Sequence, residues 1–270
     1  MNICTIKLLD ECNDKYVLGI NNKHIVGLLD LIKYNKPIKL YCGQNKIVSI
    51  INLPNNLKKI NCSYNNIINL DNLPNGLKKL ICSYNQITDL NNLPNSLSEL
   101  DCSGNKIINL DNLPNSLKEL ICSGNKITNL DNLPNSLIKL DCSGNKIINL
   151  DNLPNGLPNG LSNGLSNGLP NGLPNGLSNG LSNGLSNGLS NGLSNGLSNG
   201  LNELICSGNK ITDLDNLPNS LIKLDCSGNK IINLDNLPKK LEILNYHGNR
   251  IRSLYNLPDK IISSLIVFPI

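Results

Sequence analysis

Cysteine stands at positions 42, 62, 82, 102, 122 and 142, and the spacing resumes at 206 and 226 with Tyr246 in the next equivalent place. A period of twenty constrains the fold more than any other feature. A unit this short cannot cover its own apolar side chains, so each copy has to be buried by its neighbours, and the nine copies are expected to stack as a solenoid. The aromatic content of 3%, with one Phe and no Trp, points the same way, because a globular core built on large rings is not available.

One unit reads Leu97-x-x-Leu100-x-Cys102-x-x-Asn105-x-Ile107-x-x-Leu110-x-x-Leu113-Pro114. Over Glu99 to Ser103 the side chains alternate, which turns Leu100 and Cys102 inward and Glu99, Asp101 and Ser103 outward, the pattern of a short strand. Stacked coils would pair these strands into a parallel sheet at about 4.8 Å spacing. Asn recurs at 45, 65, 85, 105, 125, 145, 209, 229 and 249, where the chain must leave the sheet with backbone groups unpaired, and a ladder of stacked amides would satisfy them. Pro at 54, 74, 94, 114, 134, 154, 218, 238 and 258 disfavours a helix on the return path. The fold class is therefore a β-rich solenoid with a parallel concave sheet and a largely non-helical convex side.

These residues resemble the leucine-rich-repeat family over Pro37 to Pro258. The short period and the Leu-Pro ending are similar to the twenty-residue repeats of bacterial effectors, and repeats of this kind also occur in giant DNA viruses and social amoebae. The resemblance implies a curved recognition surface that binds proteins. Some related effectors append a ubiquitin-ligase domain with a catalytic Cys, and only about a dozen residues follow the last Leu-Pro here, so the resemblance implies no such activity.

Five segments follow: an amino-terminal cap at 1–36, repeats at 37–156, a low-complexity insertion at 157–200, repeats at 201–258 and a carboxy-terminal cap at 259–270. The first cap carries apolar runs and a short helix is expected near His24 to Tyr34. The last is expected to close the stack as a strand over Ile261 to Ile270. The insertion repeats Leu-(Ser/Pro)-Asn-Gly and places Leu157 and Leu201 at equivalent positions, so it can be looped out with the coil completed through Asn202 to Cys206. Closing such a loop costs about 3 to 4 kcal/mol, which stacking of two coils offsets. Its regular Leu spacing also permits a second reading, as irregular coils of its own.

Composition and motifs exclude most catalytic classes. A net charge of +4 is too balanced to demand a polyanion, and no apolar run is long enough to span a bilayer. Lys7 and Asp10 interrupt the apolar start, so no classical secretory signal is read and an intracellular, cytoplasmic chain is expected. The cysteines lack a Cys-x-x-Cys or His-rich pairing and read as buried, inert thiols. His24 and His247 lie in no metal or triad motif, and the Gly-rich text lacks the Lys-Ser/Thr end of a phosphate loop. No cofactor and no metal is expected, and the chain reads as a non-enzyme.

Two charged rows run along the repeat. Lys46, Lys106, Lys126, Lys146, Lys210, Lys230 and Arg250 follow the ladder Asn and form a basic rim, while Asp71, Asp111, Asp131, Asp151, Asp215 and Asp235 lie on another side. Nucleic-acid binding through the rim is the alternative function, disfavoured by the balanced charge and the lack of a repeated aromatic platform. Mixed charge on a solvated surface accounts for both rows as well. The outward strand positions hardly vary among the later coils, which also fits an expanded repeat protein without a dedicated partner. The first three coils differ. There Lys39, Tyr41, Lys59, Tyr64, Lys79, Ile81 and Tyr84 combine apolar and aromatic groups with charge, as binding hot spots do, with Tyr64 and Tyr84 where later coils have Gly. Drift of older copies explains the same differences. The leading expectation is a protein-binding scaffold that uses this face on an unidentified protein.

Overall fold

The computed structural model describes residues 16–154, 200–252, 254, 257–258 and 260–261. Among these, ten three-residue strands form one parallel sheet: β1 (Val17–Gly19), β3 (Lys39–Tyr41), β5 (Lys59–Asn61), β6 (Lys79–Ile81), β7 (Glu99–Asp101), β8 (Glu119–Ile121), β9 (Lys139–Asp141), β10 (Glu203–Ile205), β11 (Lys223–Asp225) and β12 (Ile243–Asn245). Their order in the sheet is their order in the chain. The remaining strands, β2 (Val26–Asp30) and β4 (Lys46–Ile51), pair in parallel away from the main sheet.

The register is strict because the inward residues allow only one. Leu80, Leu100, Leu120 and Leu140 face one another across β6 to β9, and a slip of one residue would turn each of them to solvent. Within one coil Leu97, Leu100, Cys102, Ile107 and Leu110 are all buried, and the same five positions are buried in each coil from 77 to 150, forming one continuous core. Burying a Leu or Ile is worth about 1.5 to 3 kcal/mol, and here the partner atoms come from the coils above and below.

The ladder asparagines connect those coils. Asn105 Oδ1 accepts the Ile87 amide of the preceding coil at 3.0 Å, and its Nδ2 donates to the Cys82 carbonyl of that coil at 3.1 Å and to Cys102 of its own at 2.9 Å. The same three bonds recur at Asn65, Asn85, Asn125 and Asn145. Each amide is therefore a staple as well as a filler of unpaired backbone positions.

On the return path, among the described residues, the residue before each Leu-Pro from 53 to 238 is an Asn in the left-handed region, with φ of 63° at Asn112 and 62° at Asn132. Asn tolerates this conformation better than other side chains with a Cβ. The aspartate row lies beside it: Asn132 Nδ2 donates to Asp111 Oδ1 at 3.1 Å and Asn152 Nδ2 to Asp131 Oδ1 at 2.8 Å. These aspartates thus tie consecutive turns together.

The amino-terminal region departs from expectation. Instead of a helix near His24 to Tyr34, the chain forms β2, with Leu29 and Leu31 buried at alternate positions and the Lys23 and Ile25 amides donating to Asn45 Oδ1 at 3.0 Å each. Segment 16–31 therefore completes a coil under the first repeat, and β1 pairs with β3 as the repeats pair with one another. A locally helix-compatible apolar run is overridden by the edge of the stack, which leaves the amides of β4 to be paired. At the other end Lys260 and Ile261 lie in a helical turn, with Ile261 buried, instead of opening a strand. The rest of the expected closing strand, 262–270, lies outside the described residues.

Across the insertion, β9 and β10 pair in full register, Leu140 opposite Leu204, and Asn209 makes the ladder bonds to Cys142 and Ile147 at 3.0 Å each. The insertion at 157–200, and with it both readings of that segment, lies outside the described residues apart from Gly200.

Candidate functional site

Two outward rows decorate the sheet. The first residues of the strands from β3 to β11 run Lys39, Lys59, Lys79, Glu99, Glu119, Lys139, Glu203 and Lys223, each opposite the next. The third residues run Tyr41, Asn61, Ile81, Asp101, Ile121, Asp141, Ile205 and Asp225. From β7 to β11 lysine and acid mix, and Glu203 sits between Lys139 at 3.3 Å and Lys223 at 2.9 Å. Its hydrogen bond from Lys223 holds the carboxyl below its ordinary pKa. Over β3, β5 and β6 the first row is lysine alone. Glu99 takes Lys79 in an ion pair that raises the Lys79 pKa, which leaves Lys39 and Lys59 without a carboxylate among the described residues.

Lys59 is instead placed 5.5 Å from the centroid of the Tyr41 ring, within range of a cation–π contact. Tyr41 and Ile81 lie in the third row with Asn61 between them. The seven residues singled out in the sequence thus divide in two. Lys39, Tyr41, Lys59, Lys79 and Ile81 share the strand face, whereas Tyr64 and Tyr84 leave the strands and stand in the turns that follow β5 and β6.

In those turns the two rings stack, with centroids 4.5 Å apart and planes inclined by 11°. Both side chains remain 52–53% exposed. Both residues also sit in the left-handed region, at φ 56° for Tyr64 and 54° for Tyr84, where five of the described later coils have Gly at φ 62–64°. A side chain with a Cβ costs about 1 to 2 kcal/mol in that conformation. The strain is offset only in part by the stack, since an aromatic pair contributes about 0.5 to 1.5 kcal/mol. The left-handed turn itself belongs to the coil, since Gln44 occupies the same position in the first coil at φ 55°, and the exposed stack is what sets coils two and three apart. The sequence carried the signal in the replacement of Gly by Tyr, but not the conformation that gives it meaning.

Lys46, Lys106, Lys126, Lys146, Lys210, Lys230 and Arg250 are all exposed along one rim, and coils two and three interrupt it with Asn66 and Gln86. Eight cysteines are buried and unpaired, and burial pushes the thiols up, to about 12 at Cys62. Among the described residues no group of three His, Cys, Asp or Glu side chains could hold a metal, and no helix is long and apolar enough to cross a membrane. His247 stacks on Tyr246 with ring centroids 5.6 Å apart.

No family model matches the chain and no curated protein matches it in sequence. Solved structures do. A functional domain of InlJ from Listeria monocytogenes, which includes a cysteine ladder, aligns with 30% identity and a TM-score of 0.58 over 83% of this chain and 42% of that one. YopM, a leucine-rich effector protein from Yersinia pestis, aligns with 26% identity and a TM-score of 0.55 over 91% of this chain and 69% of that one. The leucine-rich-repeat protein FLRT2, solved in an octameric complex with Latrophilin 3 and Unc5D, aligns with 19% identity and a TM-score of 0.62 over 94% of this chain and 79% of that one. The present chain spans less than half of the InlJ domain. The architecture is a leucine-rich-repeat solenoid, and its eight stacked cysteines form a ladder.

Proposed function

We propose that the chain is a non-enzymatic protein-binding scaffold and that it engages its partner through the concave sheet face and adjoining turns of its first three coils. The observation that carries this reading is the stacked, half-exposed Tyr64–Tyr84 pair held in the left-handed region. Tyr is among the residue types enriched at interface hot spots, because it brings a large apolar body and a hydroxyl with few rotatable bonds. Participation of FLRT2 in a multi-protein complex supports the reading by showing that this architecture serves assembly in another protein.

Affinity capture from cell lysate at low and at high salt tests it, comparing the natural chain with a Tyr64→Ala, Tyr84→Ala variant whose folding has been checked. A protein retained at high salt and lost by the variant is the expected result, since apolar contacts survive salt that weakens phosphate contacts. Recovery of nucleic acid that disappears at high salt would favour the basic rim instead. Recovery of neither would contradict the scaffold reading and favour an expanded repeat without a dedicated partner.

A further inference from the structure

We propose that the partner segment seated on β3, β5 and β6 is an extended peptide of alternating acidic and apolar residues. The inference rests on the protein-binding reading and specifies the chemistry of what is bound. Its first ground is charge. Lys39, Lys59 and Lys79 stand in register on adjacent strands, Lys58 and Lys78 precede two of those strands and are exposed, and no acidic residue lies on the outward rows of these three strands. Among the described residues Glu99 compensates Lys79 and no carboxylate pairs with Lys39 or Lys59. Like charges in register on neighbouring strands are destabilising, so the row holds unfavourable energy that an acidic ligand would relieve.

The second ground is the arrangement of the two rows. Lysines occupy the first strand position, and Tyr41 and Ile81 occupy the third. A peptide running across the strands between these rows splays alternate side chains to either side. Carboxylates then meet the lysines while apolar side chains meet Tyr41 and Ile81. Residues two apart in an extended peptide are separated by about 6.6 Å, and three coils span about 10 Å, so two or three acids suffice.

The third ground decides between a peptide and a nucleic acid. A groove that tracks a phosphate backbone needs positive charge along its length. This face turns acidic at once beyond β6, with Glu99, Asp101 and Glu119 on the next two strands. A short acidic segment fits within the basic stretch, whereas a continuous polyanion runs into repulsion.

The test uses the full chain and a fluorescein-labelled Glu-Leu-Glu-Leu-Glu-Leu peptide, read by anisotropy at 50 mM salt. The expected result is saturable binding, weakened about ten-fold or more by Lys39→Glu with Lys59→Glu and by replacing each Glu of the peptide with Gln. It should be unchanged by Lys146→Glu with Lys230→Glu on the rim. Equal binding to the charge-reversed variant overturns the proposal. So does tighter binding of a hexathymidylate probe, or self-association of the chain that Lys39→Glu with Lys59→Glu abolishes, which would make the acidic half of a second copy the occupant. Failure here leaves the protein-binding reading intact if a lysate partner is still lost on removing Tyr64 and Tyr84, and the two failures are thereby told apart.

Discussion

The ring of Tyr84 lies over Gly104, so closely that a Cβ on Gly104 would stand 2.8 Å from Tyr84 Cδ1. The next glycine in the row has no such constraint, since a Cβ on Gly124 would meet only the Gly104 backbone at 3.6 Å. Both glycines have φ of 64°. Gly124→Ala is expected to cost about 1 to 2 kcal/mol from the left-handed backbone alone, and Gly104→Ala more, because the ring must move too. In a Tyr84→Gly background the Gly104→Ala cost should fall to the Gly124→Ala value. Urea denaturation of the four variants measures this.

Tyr64 allows strain and stacking to be separated. Tyr64→Ala removes the ring but keeps a Cβ in the left-handed region, whereas Tyr64→Gly removes both. The Gly variant is expected to be more stable than the Ala variant by about 1 kcal/mol or slightly more. Both should lose the partner. Equal stability of the two variants would show that the turn is unstrained in solution.

Loss of one ladder amide should be costly wherever two coils meet. Asn105→Ala leaves the Ile87 amide and the Cys82 carbonyl, both buried, without the bonds that Asn105 supplies. The expected loss is about 1 to 3 kcal/mol. An exposed lysine of the rim, replaced in Lys106→Ala, should change stability by less than about 0.5 kcal/mol. Chemical denaturation of both variants checks the contrast.

Burial of the thiols makes stability sensitive to alkaline pH. The Cys62 thiol is pushed up to about 12 from an ordinary value of 9.0. Between these values the unfolded chain has released the proton and the folded chain has not, so stability is intact below pH 9 and falls as pH rises towards 12. Cys62→Ala, although less stable at neutral pH because of the cavity, is expected to show a shallower decline by up to about 1.4 kcal/mol per pH unit. Equilibrium unfolding from pH 8 to pH 11 reads the slope. At pH 8 the eight ladder cysteines should also resist alkylation in the native state and react on unfolding, as mass spectrometry of the modified peptides would record.

Much of this was legible in the sequence because the solenoid is built from residue-by-residue repetition. Leu100, Cys102, Asn105 and Ile107 sit where a strand and a turn of fixed length must put them, and the structure adds only the partner atoms. The amino-terminal coil was less legible. His24 to Tyr34 is an apolar run without the repeated Asn, and its conversion to β2 depends on the Asn45 side-chain oxygen, which accepts the Ile25 amide, and on pairing with β4 one coil away. Segment-level pattern cannot carry that contact. At the candidate site, Tyr41, Ile81 and the three lysines followed from strand alternation, but the stack of Tyr64 on Tyr84 did not. That pairing depends on a left-handed turn, and the turn was signalled only by the glycines that replace tyrosine in later coils. The aspartate row read as solvated charge, and its bonds to Asn132 and Asn152 were hidden for the same reason.

Site-directed photocrosslinking tests the central claim most directly. A benzoylphenylalanine placed in turn at Tyr41, at Tyr84, at Lys146 on the rim and at Asn112 on the return path is irradiated in cell lysate, and the adducts are separated and identified. The account predicts one protein adduct shared by positions 41 and 84 and absent from 146 and 112. Adducts confined to 146 or 112, or a nucleic-acid adduct at 146 alone, would contradict it.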